Sequence, residues 1–178
     1  MSRTLLIGIA ALAMSACGTT VKPYQPGDAP NLPAFVLEQP AGCGVGSAKF
    51  RGNINLAREA AVSSARADLS RQLKTQINAM LKRYQQEGEV DGRDMTEETI
   101  TSVSKDITSM SLVGTRATMS KSMDGNLHAL VCLDPETFAS SFDRMKKLND
   151  SQRAALKERA TKEFKNLDKE IEKLKTQN

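Results

Sequence analysis

The sequence predicts an α+β domain in which a small three-stranded sheet packs against one long helix. The element order is β-α-α-β-β-α, followed by a charged heptad helix at the C-terminal end. Three features carry that expectation. Ala61, Ala65, Leu69, Leu73, Ile77, Met80, Leu81 and Tyr84 recur at steps of three and four, a single apolar stripe along one long helix. The run Cys43-Gly44-Val45-Gly46-Ser47-Ala48 reads as a strand with glycines where a side chain would obstruct close packing. Alternating residues on both sides of Asp124-Gly125 read as a β-hairpin.

Met1 to Ala16 has the three-part pattern of an export signal peptide. Arg3 gives the positive start, Leu5 to Leu12 the apolar centre, and Ser15-Ala16 the small residues before a cut. The apolar run is too short to span a bilayer permanently. Cys17 follows at once, and Met14-Ser15-Ala16-Cys17 resembles the lipobox of bacterial lipoproteins, with methionine where leucine is usual. The resemblance implies that Cys17 becomes the first residue and carries palmitate-type acyl chains, several of which anchor firmly where one binds marginally. Gly18 rather than aspartate comes next, which by the same resemblance favours the outer membrane, periplasmic face preferred. Residues 17–33 read as a tether, because Pro23, Pro26, Pro30 and Pro33 favour extended chain. Its disordered part could reach roughly 50 Å if fully stretched. The expected domain, residues 34–148, opens at Ala34-Phe35-Val36-Leu37, with Phe35 as its first core contact.

The long helix begins after Asn53-Ile54-Asn55, where either asparagine can cap it. The first half of its stripe is alanine and the second leucine, isoleucine and methionine. Small residues allow close approach to a sheet, whereas large ones need a deeper layer opposite. Gly88 and Glu89–Arg93 stop this helix, and Asp94-Met95-Thr96-Glu97 reads as a capping box built on Asp94 and Glu97. Ile100, Val103, Ile107 and Met110 mark the inner face of the next helix, with Ser, Thr and Lys outward.

The hairpin is expected over Val113 to Leu133 with two possible registers. A two-residue loop puts Met119 opposite Leu130 and Ala117 opposite Cys132. A three-residue loop through Asn126 puts Met119 opposite Val131 and Ala117 opposite Leu133, which gathers the apolar residues on one side and is preferred. Leu130 and Cys132 then occupy the second face, so that face is expected to be covered as well. His128 has no acid or cysteine beside it and reads as structural.

Asp134-Pro135-Glu136 starts a further helix, with Asp134 as N-cap and Pro135 at the first helical position. Phe138, Phe142 and Met145 are expected to cover the sheet or the hairpin end. Asn149-Asp150-Ser151 either breaks this helix or restarts it. In residues 149–178, Ala160, Phe164, Leu167, Ile171 and Leu174 form a heptad seam amid dense Lys and Glu. The charge is expected to keep this tail out of the core. It then lies loosely on its own domain or forms a short coiled coil, with Phe164, Leu167, Ile171 and Leu174 as self-association residues.

Cys43 and Cys132 fall in expected strands, and an oxidising destination permits a disulfide between them. Two buried thiols that never meet is the alternative the sequence leaves open. With 39% apolar and 4% aromatic residues and no tryptophan, the core must be aliphatic and methionine-rich. Of 25 basic residues one, Arg3, belongs to the signal, leaving 24 against 21 acids with the signs well mixed. That balance does not point to nucleic acid.

Gly44-Val45-Gly46-Ser47-Ala48, Asn55, Ala57-Arg58, Ala61, Ala65-Arg66-Ala67-Asp68-Leu69 and the closing Asp124-Gly125 resemble the lipoprotein-20 family of bacterial outer-membrane lipoproteins. The likeness covers about residues 34 to 138. It implies a small domain with a three-stranded sheet, no enzymatic activity and a role in the envelope; one branch assembles around the flagellar motor.

The residues themselves also argue against an enzyme. Lys49 stands where a dinucleotide fingerprint needs its third glycine, and there is neither a phosphate loop nor a nucleophile elbow. Ser63-Ser64 sit on an expectedly solvated helix. One histidine and scattered acids offer no catalytic set, no metal-ligand set and no cofactor or small-molecule substrate site. Arg58, Arg66 and Arg71 mark a solvated face that could also meet anionic polymers. Two function classes are expected. One is a structural or assembly lipoprotein of the envelope, flagellum-associated in its narrower form, with a protein partner or a second copy. The other is a periplasmic binding module that regulates a cell-wall enzyme or binds peptidoglycan.

Overall fold

The computed structural model describes residues 32–87 and 95–177. The expected signal segment, Cys17 and most of the expected tether lie outside the described residues, as do the expected turn at residues 88–93 and Asp94. The elements run α1 (Ala34–Leu37), β1 (Cys43–Lys49), α2 (Ile54–Gln86), α3 (Glu97–Val113), β2 (Arg116–Met123) and β3 (Asn126–Cys132). They continue as α4 (Pro135–Ser141), a 3-10 turn at Phe142–Arg144, α5 (Asp150–Glu163) and α6 (Leu167–Gln177). This is the expected α+β fold, with the antiparallel sheet ordered β1-β3-β2.

Asn53 is the cap of α2: its side chain accepts from the N–H groups of Asn55 and Leu56 at 3.0 and 3.2 Å. All eight stripe residues of α2 are buried. Their alanine half lies on β1 at main-chain distance. A Cβ added to Gly44 would stand 2.2 Å from the Ala65 carbonyl oxygen, and one added to Gly46 would stand 2.2 Å from that of Ala61. The glycines therefore serve helix-on-sheet contact.

Two expectations about α3 need correction. The cap of α3 is Thr96, whose hydroxyl accepts from the Thr99 N–H at 3.1 Å. The outer face of α3 is also narrower than its polarity suggested, because Ser104, Thr108 and Ser111 are buried. Their hydroxyls donate to main-chain carbonyls, Thr108 to Ser104 and Ser111 to Ile107 at 2.7 Å, which removes the cost of burying them.

The hairpin departs from the preferred register. Asp124 and Gly125 take φ values of +50° and +72°, so the loop has two residues, and Met123 pairs with Asn126 and Met119 with Leu130. A bulge then intervenes, and Ala117 pairs with Val131 rather than with Leu133 or Cys132. Neighbouring residues of β3 face opposite ways, so the bulge places Ala117 and Met119 on opposite faces. Val113 closes α3, and β2 starts only at Arg116.

The C-terminal segment is not a separate unit. Asn149 and Gln152 form a reciprocal capping box that starts α5, and Leu156 and Ala160 join the core. Phe164, Leu167, Ile171 and Leu174 are buried too, with Phe164 edge-on to Phe138 at 5.1 Å between centroids. The tail enters the core because its charges occupy only the outward face of a short helix. Cys132 shares a cleft with Asp168, Ile171, Glu172 and Lys175, so α6 covers the face of the sheet opposite α2.

Candidate functional site

Cys43 and Cys132 face each other across β1 and β3 and are joined by a disulfide. The bond therefore fastens the edge strand to the central strand on the face turned away from α2, because Gly44 and Gly46 are the residues of β1 that face the helix. The outer side of β1 is held as well. The Cys43 carbonyl accepts from Gln39 Nε2 at 2.6 Å, and the Val45 N–H donates to Asp68 Oδ2 at 3.2 Å. Asp68 also accepts from Gln39 and Gln72 and pairs with Arg71 at 3.1 Å. This network occupies main-chain groups that would otherwise invite another strand.

Two clefts flank the core. The first lies between α2 and α5, lined by Gln76, Arg83, Glu87, Phe138, Arg159 and Phe164, with a volume of about 210 Å³. Arg159 sits 5.3 Å from the Tyr84 ring centroid and pairs with Glu87 at 2.5 Å. Both charged groups thus already serve in joining α5 to the end of α2. The second cleft, of about 240 Å³, lies beside α6 and contains Asp134. Hydrogen bonds from Thr137, chiefly, hold the Asp134 carboxyl below its ordinary pKa, and the Arg116 charge adds to them. A carboxylate that accepts the Thr137 N–H at 2.7 Å is a helix cap, not a poised base.

His128 is buried on β3 opposite Ser47 and Lys121, and no acid faces it on either strand. Among the described residues no group of three or more His, Cys, Asp or Glu is placed to hold a metal ion. Ser63 and Ser64 are exposed on α2. Arg58 and Arg66 line a shallow groove with Asn55, Glu59, Val62 and Ala117, and Arg66 donates to the Thr115 hydroxyl at 3.3 Å. Arg71 is tied up with Asp68 instead, so the three arginines are not one binding face. Phe164, Leu167, Ile171 and Leu174 come together, but inside the core.

Residues 49–58 carry the signal that a periodicity reading passes over. Phe50, Ile54 and Leu56 are exposed there, between Lys49, Arg51 and Arg58. They lie off the buried stripe of α2, and their density within ten residues is the feature that marks them in the sequence. No helix among the described residues is long and apolar enough to cross a membrane. No protein-family model matches the chain, and no curated protein matches it.

Proposed function

We propose that the chain is a non-enzymatic lipoprotein, anchored through acyl chains on Cys17 to the periplasmic face of the outer membrane, where it acts in the assembly of an envelope structure. The observation that carries this reading is Met14-Ser15-Ala16-Cys17, placed directly after a short apolar segment with a basic start. The bonded pair Cys43–Cys132 supports it, since such bonds persist in oxidising compartments. In its narrower form the assembly is flagellar, a reading supported by the lipoprotein-20 likeness of residues 34 to 138. Intact-mass measurement of the purified protein tests the anchor. The expected species begins at Cys17 and carries acyl mass, which Cys17→Ser abolishes; an unmodified mature chain overturns the proposal.

One observation favours the second reading, a binding module for peptidoglycan or a cell-wall enzyme. Phe164, Leu167, Ile171 and Leu174 are buried in the chain's own core, so a coiled coil through them would require α6 to leave it. Sedimentation of the detergent-solubilised full chain separates the two. Assembly requires concentration-dependent oligomers, and a strict monomer that co-sediments with purified peptidoglycan supports the binding module. Loss of motility in a deletion strain would support the flagellar form, and unchanged motility would remove it.

A further inference from the structure

One end of the domain presents apolar side chains that stay exposed among the described residues. Phe50 directly follows β1, while Ile54 and Leu56 lie in the first turn of α2, and they are 43%, 50% and 64% exposed. The bend that carries them is firmly built. Gly52 takes φ +86°, Asn53 caps the helix, and the Phe50 N–H donates to the Gly125 carbonyl at 2.8 Å, tying the bend to the hairpin tip. Lys49, Arg51 and Arg58 flank these residues. All three are exposed, and none forms an ion pair among the described residues. Residues 49–58 contain those three cations and no acid. Glu59 shares the shallow groove with Arg58 and Arg66, and Asp124 stands in the hairpin turn to which Phe50 is tied.

We propose that this end is a membrane-contacting tip. Phe50, Ile54 and Leu56 enter the interfacial layer of an anionic phospholipid bilayer, while Lys49, Arg51 and Arg58 meet its phosphate groups. Two features select a lipid surface over a protein groove. The side chains project from a bend and a helix end, and none of Phe50, Ile54 and Leu56 lines either cleft or the shallow groove at Arg58. Unpaired cations around exposed apolar groups are the pattern that partitions to charged lipid, since a neutral protein site would leave them without partners. The tip does not depend on Cys17 being acylated. A tether from residue 17 to residue 32 would nevertheless allow the domain to present it, since such a segment spans at most about 50 Å.

The chain has no tryptophan, so a single introduced one reports its own surroundings. The full-length Phe50→Trp and Leu56→Trp proteins, mixed with vesicles of phosphatidylcholine and phosphatidylglycerol, should emit at shorter wavelength and be quenched by brominated acyl chains. Val113→Trp provides the contrast: Val113 is 89% exposed and lies before the start of β2, far from the hairpin tip, so its emission should stay water-like. Arg51→Ala added to Phe50→Trp should weaken the vesicle response roughly fivefold in apparent affinity. The proposal is overturned if both tip reporters stay water-like on these vesicles. It is equally overturned if Val113→Trp responds as they do, or if phosphatidylcholine alone gives the full response. Leu56→Trp keeps the test open should Phe50→Trp misfold. Intact mass reports on Cys17 separately, so the anchor and the tip can fail independently.

Discussion

The two halves of α2 bury the same stripe by opposite means. In the first half Ala61 and Ala65 bring the helix main chain onto Gly44 and Gly46, so that backbone meets backbone. In the second half Ile77, Met80, Leu81 and Tyr84 reach outward to fill the space toward α3 and α5. There the helices are joined at their margins, Ser104 Oγ to the Lys74 carbonyl at 3.3 Å and Gln85 Nε2 to the Met95 carbonyl at 3.0 Å. The first half is specified by atoms that are absent, the second by volume that must be filled. Main chain cannot rotate aside, whereas packed side chains can partly readjust. Glycine in a strand costs backbone entropy, and here close packing of helix on sheet offsets it.

The largest expected effect breaks the first half at its base. Cys43→Ala with Cys132→Ala removes a link across 89 residues and should cost about 4 kcal/mol, read as a lower urea midpoint. A loss too small to resolve would mean that the glycine contact alone positions β1. Next, Gly46→Ala adds one methyl against the Ala61 and Ala65 main chain and should cost about 3 kcal/mol. Ile171→Ala probes the opposite face of the sheet and should cost about 2 kcal/mol with unchanged cooperativity. A separate early transition would instead make α6 an appendage. In the second half of α2, Ile77→Val should cost only about 1 kcal/mol. The contrast between the halves collapses if that loss equals the one at Gly46.

Asp134→Ala supplies a smaller yardstick away from α2, less than about 1 kcal/mol for a lost cap. The Asp134 carboxyl has a lowered pKa in the folded state, chiefly through Thr137. Its contribution is therefore complete above the unfolded-state pKa and disappears as pH falls through the folded one. Stability of the original and variant proteins should differ at neutral pH and converge in acid. A gap that persists in acid would assign the effect to packing rather than charge.

Local chemistry was the legible part. Asn53, Asp134 and the stripe of α2 could be placed because each depends on neighbours within a turn or two of chain. The pairing of Cys43 with Cys132 was open, since only strand order brings residues 89 apart face to face. The preferred hairpin register gathers Met119, Ala117, Val131 and Leu133 on one side, although Leu130 and Cys132 already call for cover on the second face. With α6 covering that face, both sides are apolar and the turn geometry at Asp124-Gly125 sets the pairing. The exposed tip at Phe50, Ile54 and Leu56 lies off the stripe of α2, so periodicity does not mark it.

The amino-acid sequence was enough to place the starts of α2 and α4, the apolar side of α2, and the need for glycine at residues 44 and 46. Those properties follow from backbone sterics, capping and periodicity, all short in range. Tertiary structure alone decided that a Lys- and Glu-rich tail would close the core, that a bulge would turn Ala117 away from Met119, and that one end would stay uncovered. Each depends on what stands opposite a residue in space, and a helix with one apolar side buries that side wherever a complementary surface is within reach.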